Sequence, residues 1–386
     1  MAPFRIAFIS DYFPPHLGGM ETWTYEVART LARKGHSVVV YTPKISGHYG
    51  DEVVDGVQVR RFGPSFLFSS SSRFVSYPYL ARFLGLSIWL PIRLIGERRF
   101  DATIVTYVSL SFVGVLLRLL RIPTWGIIHG FYEASEAVES HGLLRGLLRV
   151  AIQSMSLKMP VEGYIVVGNS VRAALIKRGV NQSRINVIRG GVDIDEINSV
   201  HVEKSALPQI CFVSRMIPER RLDELLRAFT LVLNRVPQAR LVVVGDGPLR
   251  KQWEELARSL KIERNVEFRG ALYGKAKFEV LKESHILAHP STREGMSLAI
   301  YEALACSTPV VTYDIPEIRE QLALGGGGLL VVPHDIDRFA EAIVNLLTSP
   351  QLWTELSEQG RLAIENGLDW GSVAALLIDC FKQRCS

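Results

Sequence analysis

The sequence restarts at Gln209-Ile210-Cys211-Phe212-Val213-Ser214, which repeats near mid-chain the pattern of Arg5-Ile6-Ala7-Phe8-Ile9-Ser10. Each run has the length and composition of a buried strand. Behind the first run, Trp23, Val27 and Leu31 recur at the spacing of one helix face, and a similar series follows the second run. Strands that alternate with helices predict parallel sheets with crossover helices, which is the arrangement of α/β folds. The restart predicts two such domains.

The length of the chain also favours two domains, because 386 residues exceed what one hydrophobic core usually serves. A polar stretch from Asp193 to Pro208 separates the two series and is the expected linker. We therefore predict an N-terminal domain over residues 1–195 and a C-terminal domain over residues 205–369, each a Rossmann-like, doubly wound sheet. A final helix over residues 370–386 is expected to cross back onto the first domain. Further strands are predicted at 37–41, 102–106, 125–129, 163–167, 240–244, 266–268, 286–288, 309–312 and 329–332.

Charge is divided unevenly along the chain. Residues 1–200 carry 22 Lys and Arg against 15 Asp and Glu, whereas residues 201–386 carry 22 against 24. The basic excess of the first half predicts an anionic partner, either a membrane surface or a nucleic acid. The four cysteines form no CxxC pair, so we expect neither a zinc site nor a disulfide framework, and a reducing cytoplasmic compartment fits. The first residues lack the pattern of a signal peptide.

Contact with a membrane surface has its own candidate segment, His141 to Lys158, which is predicted to form an amphipathic helix. Its expected apolar face consists of Leu144, Leu147, Leu148, Ile152 and Met155, and its polar face of Arg145, Arg149 and Gln153. Such a helix either lies on an anionic membrane or packs on its own sheet. Arginines beside apolar residues at positions 82, 93, 98 and 99 favour the membrane. The apolar segments 83–92 and 104–117 are shorter than the roughly 20 residues of a spanning helix.

Two glutamates, Glu294 and Glu302, enclose the run Gly295-Met296-Ser297-Leu298-Ala299-Ile300-Tyr301. If a helix opens between Gly295 and Ser297, Glu294 lies in the loop before it and Glu302 about two turns inside. A carboxylate accepts two hydroxyl hydrogen bonds, which suits the paired hydroxyls of a ribose or hexose. Glutamate is also common on the solvent-facing side of helices, so the spacing alone leaves both interpretations open.

The segment from Glu294 to Glu302, followed by Ala303-Leu304-Ala305 and Thr308-Pro309-Val310-Val311, resembles the signature of retaining glycosyltransferase family 4. The resemblance implies the GT-B fold, in which two Rossmann-like domains face a central cleft. It also implies that Glu294 contacts the donor hexose and Glu302 the nucleotide ribose. Donor contacts are implied for Gly295, Met296, Ser297 and Leu298. No cofactor or metal is expected.

A second stretch in the family's order is Ser214-Arg215-Met216-Ile217-Pro218-Glu219-Arg220-Arg221. It resembles the family's Gly-Arg-Leu followed by Lys-Gly, whose Arg and Lys grip the donor diphosphate, a role thereby implied for Arg215 and Arg220. Two fixed cations stabilise the charge that grows on a departing nucleoside diphosphate without a metal. Arg221 stands where the family has glycine. Arginines exposed at the start of a helix are the alternative interpretation.

The first domain contributes a glycine pair and a histidine. Gly18 and Gly19 lie between the first strand and its helix, where backbone N–H groups can approach a phosphate, and they match the family's Gly-Gly loop. The pair is not the GxGxxG fingerprint, which argues against a dehydrogenase. His129 ends a predicted strand, and the resemblance implies that it lies beside the donor sugar; a histidine bonded only to backbone is the alternative. Acceptor contacts are expected for Tyr132, Glu133 and Glu136.

Two spacings typical of metal sites are interpreted as structural. Asp193-Ile194-Asp195 has the DxD spacing but follows Gly190-Gly191-Val192, where the family has Asn-Gly-Val-Asp, so we expect a turn. His285 and His289 are four positions apart, as zinc ligands on a helix are. The residues between them predict a strand, on which such positions lie about 13 Å apart. No metal site is predicted.

The sequence therefore predicts a retaining, metal-independent hexosyltransferase that takes a UDP- or GDP-linked sugar and a glycolipid or saccharide acceptor, in cell-envelope or other glycoconjugate and polysaccharide synthesis. The family's mechanism implies attack on the same face, with the leaving phosphate helping to accept the acceptor's proton. A cytoplasmic location is expected, with peripheral attachment to the inner face of the cytoplasmic membrane, and no nucleic-acid partner. The alternatives are a GT-B sugar-nucleotide epimerase and a protein that binds sugar nucleotides without catalysis.

Overall fold

The computed structural model describes residues 3–11, 13–14, 18–44, 48, 50–63, 89–94, 97, 99–130 and 142–385. The chain forms two compact units, one consisting of Met1–Arg189 with Val373–Ser386 and the other of Gly190–Ser372. The division precedes the stretch predicted as a linker, most of which packs on the second unit. Ile197 and Val200 are buried in that unit's core, and Lys204 Nζ donates to Ser284 O at 2.6 Å.

An eight-stranded sheet forms the first unit, in the order β3-β4-β2-β1-β5-β6-β7-β8. Neighbouring strands are parallel except for the β3–β4 hairpin. The strands are Arg5–Ile9 (β1), Ser37–Pro43 (β2), Glu52–Val54 (β3), Val57–Phe62 (β4), Ala102–Thr106 (β5), Thr124–Ile128 (β6), Gly163–Val166 (β7) and Ile185–Val187 (β8). The described helices are Gly19–Arg33 (α1), Leu90–Leu94 (α2), Tyr107–Leu119 (α3), Leu143–Ser156 (α4) and Asn169–Lys177 (α5).

The second unit is a six-stranded parallel sheet in the order β11-β10-β9-β12-β13-β14. Its strands are Gln209–Val213 (β9), Arg240–Val244 (β10), Val266–Gly270 (β11), Ile286–His289 (β12), Val310–Tyr313 (β13) and Gly328–Val331 (β14). Its helices are Ile194–Asn198 (α6), Leu222–Arg235 (α7), Arg250–Ser259 (α8), Gly274–Glu283 (α9), Leu298–Ala305 (α10), Pro316–Leu322 (α11), Ile336–Thr348 (α12) and Pro350–Glu365 (α13).

Alternate residues of β9 point to opposite faces of the second sheet, and each face has its own core. Ile210 and Phe212 belong to a cluster with α7, α8 and α12, whereas Cys211 and Val213 belong to a cluster with α9 and α10. Helices therefore cover both faces, which is the doubly wound arrangement. The prediction of two parallel-sheet α/β domains is confirmed.

The last helix, Trp370–Cys385 (α14), begins in the second unit and belongs to the first from Val373 onward. Its Phe381 ring packs on Trp125 of β6 with ring centroids 4.8 Å apart, and both side chains are fully buried. The first core thus includes residues from the end of the chain.

Helix α4 forms within the segment predicted to be amphipathic, but the predicted face is wrong. Ile152 and Gln153 were expected on opposite faces, and both are buried, together with Ser156. Ser156 Oγ donates to Gln153 O at 2.7 Å, so a buried polar group has its partner. The side chains of Leu144, Arg145 and Arg149 lie outside the described residues. The exposed large apolar side chains of this helix are Leu143, Leu147, Leu148 and Met155.

The apolar segment 104–117 is divided between β5 and α3. Across the residues described, no helix has both the length and the apolar character needed to span a membrane.

Candidate active site

The candidate residues of the second unit follow β9 and β12, which are neighbours in the sheet. The carboxyl ends of parallel strands share one edge, and this is where open α/β sheets hold ligands. The loop after β9 carries Arg215 and Arg220, and the loop after β12 carries Glu294. The sheet order, rather than the sequence, brings these loops side by side.

The backbone around Arg215 is held by the turn that follows β10. Gly245 has a φ of +142°, and a Cβ there would lie 1.8 Å from Ser214 O; a Cβ on Gly247 would lie 2.3 Å from Met216 O. Met216 N donates to Asp246 O at 2.9 Å. The Arg215 side chain is exposed and contacts none of the described residues through a hydrogen bond or ion pair. The backbone at Arg215 is therefore fixed, while its guanidinium group has no partner among the described residues.

The two loops are joined by hydrogen bonds at Glu219. Its carbonyl oxygen accepts from Thr292 N at 3.0 Å and from Ser291 Oγ at 3.2 Å. Arg221, which stands where the family has glycine, adopts the left-handed conformation with φ 49° and ψ 40°. That conformation costs an L-residue about 1 kcal/mol. The turn is retained, and the Arg221 side chain approaches Glu224 at 3.2 Å.

Arg220 and Glu294 form a buried ion pair. Arg220 Nη1 donates to Glu294 Oε1, to Ser291 Oγ at 2.6 Å and to Arg293 O at 2.6 Å. All three contacts use one nitrogen of the guanidinium group. Nε is buried without a partner, and Nη2 bonds to none of the residues described. The Nε–Nη2 edge of Arg220 therefore makes no hydrogen bond to the described residues.

His289 shares Glu294 Oε1 with Arg220, at 2.8 Å from its Nε2. Burial by itself raises the pKa of the Glu294 carboxyl, but the charge of Arg220 and the hydrogen bonds of His289 and Ser291 outweigh it and lower the pKa to about 2. Glu294 is thus an ionised, acceptor-only group at neutral pH. Neither Arg220 nor His289 contacts the second oxygen, Oε2.

Glu302 lies in α10, and the expectation that it is about two turns inside a helix is wrong. The helix begins at Leu298, which places Glu302 one turn inside. Ser297, just before the helix, is held extended by Gln321, whose amide accepts from Ser297 N at 2.9 Å and donates to Ser297 O at 3.1 Å. Glu302 is buried, and Lys277 Nζ of α9 lies 2.6 Å from its Oε1. It does not face solvent.

Close packing accounts for Gly190 where the family has Asn. Gly190 N lies 3.0 Å from Met296 Sδ, and a Cβ on Gly190 would lie 2.3 Å from Met296 Cε. Further along, the Asp193 side chain accepts from Glu196 N at 2.9 Å and caps α6. Among the described residues, no three His, Cys, Asp or Glu lie close enough to hold a metal ion.

In the first unit, His129 follows directly on β6. Its ring meets Trp23 edge to face at 5.8 Å, and its Nε2 is buried without a partner. Burial lowers the pKa of His129 to about 4, so the imidazole is neutral at pH 7. Gly18 and Gly19 begin α1, but a Cβ on Gly18 would lie 2.5 Å from a carboxylate oxygen of Glu21. That carboxylate already lies near the helix N-terminus. Tyr132, Glu133 and Glu136 lie outside the described residues.

Two polar contacts of the site were missed from the sequence. His289 was weighed only as a partner of His285, whose Nδ1 instead accepts from Gln209 N at 3.2 Å. The position of His289 at a strand end, five residues before Glu294, is the signal that could have identified it. Lys277 had no such signal, because it comes from a different helix.

Two family models match this chain, one along each half. A model described as Glycosyltransferase Family 4 matches residues 17–196, and one described as Glycosyl transferases group 1 matches residues 193–363. A D-inositol 3-phosphate glycosyltransferase from Rhodococcus erythropolis is 28% identical over 99% of this chain and 91% of that protein. A GDP-mannose-dependent alpha-(1-6)-phosphatidylinositol monomannoside mannosyltransferase from Mycobacterium tuberculosis is 24% identical over 98% of each chain.

Among solved structures, sucrose-phosphate synthase from Thermosynechococcus elongatus has a TM-score of 0.82 at 20% identity, over 98% of each chain. The two family models together span most of the chain, and the structural match extends over both units. The chain therefore belongs to the family 4 and group 1 glycosyltransferases of the GT-B fold, enzymes that use nucleotide sugars.

Proposed function

We propose that this protein transfers a hexose, with retention, from a UDP- or GDP-linked donor to a glycolipid or saccharide acceptor. The observation that carries the proposal is the largely buried Arg220–Glu294 pair, in which the Nε–Nη2 edge of Arg220 makes no hydrogen bond to the described residues. An ionised carboxylate suits sugar hydroxyls, and a planar guanidinium edge suits two phosphate oxygens. The sugar and the diphosphate of a nucleotide sugar would thus each have a partner within this one cluster.

Arg220 can bind Glu294 and the donor diphosphate through different edges of its guanidinium group, whereas a lysine would have a single ammonium group for both. Arg220 Nη1 anchors Glu294 and the loop after β12, while the opposite edge remains for the diphosphate. Arg215, exposed and unpaired, supplies the second cation. Charge that develops on the leaving diphosphate in the transition state is stabilised by such fixed groups. For this reason we propose that the transfer requires no divalent metal, so that EDTA leaves turnover unchanged.

Retention is proposed through attack on the same face of the sugar, with the leaving phosphate helping to accept the proton of the acceptor hydroxyl. The neutral His129, held at the end of β6, is proposed to lie beside the donor sugar rather than to act as a charged acid. Gly18 and Gly19 are proposed phosphate contacts, with Glu21 moving aside. Glu302 is the proposed ribose contact. Tyr132 and Glu133 remain proposed acceptor contacts.

The acceptor proposal is supported by the names of the two relatives above, which act on an inositol phosphate and on a phosphatidylinositol mannoside. A glycolipid acceptor agrees with a role in cell-envelope or polysaccharide synthesis, carried out in the cytoplasm.

The proposed function is tested with purified protein and a panel of UDP- and GDP-sugars, each with and without a polyol, saccharide or glycolipid acceptor. We expect one donor to raise the melting temperature and to be consumed only with acceptor, giving a product whose anomeric coupling matches that of the donor. Inverted product would contradict retention. Isomerised donor without acceptor would show an epimerase, and donor binding without any product would show a non-catalytic binder.

We propose further that the first unit attaches to an anionic membrane surface through α4. In this helix the polar side chains of Gln153 and Ser156 are buried, whereas the apolar side chains of Leu147 and Leu148 are exposed. Exposed apolar side chains on one helix are typical of a surface that contacts a membrane. The basic excess of residues 1–200 matches anionic lipid headgroups. Arg93 is already engaged by Asp51 and the carbonyl of Arg61. Arg82 and Arg98 lie outside the described residues.

Vesicle sedimentation tests the attachment. The double variant Leu147→Ser, Leu148→Ser should bind vesicles containing anionic lipid about 30-fold more weakly, because two exposed leucines each contribute about 1 kcal/mol on insertion. Leu362→Ser is the matched control, since Leu362 is 59% exposed but lies on α13 of the second unit. Equal binding by the double variant and the control would contradict the proposal.

A further inference from the structure

We propose that His289 is a positioning residue: through Nε2–H it fixes the Glu294 carboxylate so that Oε2 is left for a hydroxyl of the donor hexose. This inference rests on the proposed function, because it assigns the hexose to Glu294. The inference goes beyond the proposed function because it names His289, a residue that the glycosyltransferase resemblance does not mark and that does not itself contact the ligand.

The position of His289 is rigid. It is the last residue of β12, it is 1% exposed, and its backbone pairs with Thr312 of β13. Thr312 Oγ1 donates to His289 O at 2.7 Å. A histidine on the central part of a sheet has little freedom to reorient, so the 2.8 Å contact between Nε2 and Glu294 Oε1 is a fixed one.

The geometry points to one tautomer of His289. Glu294 is ionised and can only accept, so Nε2 must carry the hydrogen. Nδ1 is buried and has no hydrogen-bond partner. A hydrogen on Nδ1 would be a buried donor without an acceptor, which is more costly than an unused lone pair. The imidazole therefore donates from Nε2 and leaves Nδ1 bare.

Two donors on one oxygen determine the orientation of the carboxylate. Arg220 Nη1 and His289 Nε2 approach Oε1 from different elements, the turn after β9 and the end of β12. Without His289, Arg220 and Ser291 are the remaining partners of the carboxylate, which then has more freedom to rotate about its terminal torsion. His289 removes that freedom. Oε2 then accepts the hydrogen bond of the sugar hydroxyl without reorganisation, which favours the transition state.

Three substitutions test the inference in the full-length protein with the donor found above. His289→Gln places its amide nitrogen near the position of Nε2, His289→Asn places it near Nδ1, and His289→Leu has no donor. We expect kcat to fall about 10- to 100-fold in the Leu and Asn variants, the effect of losing one charge-assisted hydrogen bond, with a smaller change in KM. His289→Gln should stay within about threefold of the wild type, the usual limit for a retained hydrogen bond.

Melting temperatures separate positioning from folding. If activity follows the melting temperature across the three variants, or if the Gln variant loses as much kcat as the Asn variant, the inference is overturned. The ¹⁵N spectrum of the imidazole is independent of catalysis: the wild type should show a protonated Nε2 and a bare Nδ1, and Glu294→Gln should shift the Nε2 signal. The opposite tautomer would also overturn it. If the wild type binds the donor but transfers no sugar while this spectrum is as expected, the proposed transfer fails and the positioning of Glu294 by His289 stands.

Discussion

The candidate residues of the two units differ in how far their charges are already satisfied. In the second unit, Glu294 is held by Arg220 and His289, and Glu302 is held by Lys277. In the first unit, His129 has a buried nitrogen without a partner. Preorganised charges suit the binding of a diphosphate sugar, because the diphosphate is strongly charged and gains further negative charge as it leaves. The comparison shows that two candidate carboxylates of the second unit are already fixed by neighbouring side chains, whereas the His129 imidazole keeps one nitrogen without a partner.

The largest effect is expected from Glu294→Ala. The substitution removes the proposed hexose contact and leaves Arg220 and His289 as buried donors without their acceptor. Truncating one partner of a buried charge pair costs about 2–5 kcal/mol, so we expect kcat/KM for the donor to fall roughly 10²- to 10³-fold. Steady-state kinetics measure the loss. Activity within threefold of the wild type would show that the Glu294 cluster is structural only.

Arg215→Ala should have the next largest effect, and on turnover alone. The side chain is exposed and unpaired, so its removal should leave the melting temperature unchanged. Loss of one transition-state charge contact typically lowers kcat about 10²-fold. Arg338→Ala is the matched control, because Arg338 is an exposed arginine of the same unit. Equal kinetics in the two variants would remove Arg215 from the site.

Lys277→Ala tests whether donor binding depends on the ion pair between Lys277 and Glu302. Without Lys277, Glu302 remains buried with one contact fewer, and we expect donor affinity to weaken about tenfold, equivalent to about 1.4 kcal/mol. Calorimetric titration with the nucleoside diphosphate measures this. Lys277→Arg should restore most of the affinity, and Lys275→Ala, at an exposed position of the same helix, should have no effect. Tighter binding by Lys277→Ala would mean that Lys277 competes with the ribose for Glu302.

The smallest effect is expected for His129 and concerns stability rather than catalysis. Its pKa is lowered in the folded protein, so the unfolded chain binds more protons between about pH 6.5 and pH 4. This contribution to the free energy of unfolding is therefore present at pH 7 and is lost as the pH falls through that window. His129 is partly exposed, so we expect the loss between pH 7 and pH 5 to be about 1 kcal/mol.

Urea denaturation of the wild type and of His129→Gln at both pH values measures this contribution. The variant should lose about 1 kcal/mol less on acidification, because glutamine does not titrate. An identical pH dependence in the two proteins would mean that His129 has an ordinary pKa and that it is better solvated than its burial suggests.

Much of the fold was predictable from short apolar runs. The strand at residues 102–106 and the one at residues 240–244 form with the predicted bounds, because a run buried on both faces of a parallel sheet is almost continuously apolar. The start of α10 was predicted less well. Ser297 is held extended by Gln321, a residue of another helix, and no local sequence pattern predicts such a contact.

The amphipathic segment at 141–158 shows the same limit. Its period predicted a helix, and α4 forms there. The period did not predict which face is buried, since that depends on the neighbouring elements against which the helix packs. Gln153 is buried and Leu147 is exposed for this reason.

By itself, the sequence predicted a pair of parallel-sheet domains, because periodicity is a property of neighbouring residues, and its resemblance to family 4 implied two glutamates and two arginines as candidate donor contacts. Only the tertiary structure decided that Arg220 meets Glu294, that His289 shares its carboxylate, and that Lys277 pairs with Glu302. Most of those contacts join residues far apart in the chain. Strand order and helix packing bring such residues together, and no local pattern in the sequence records that proximity.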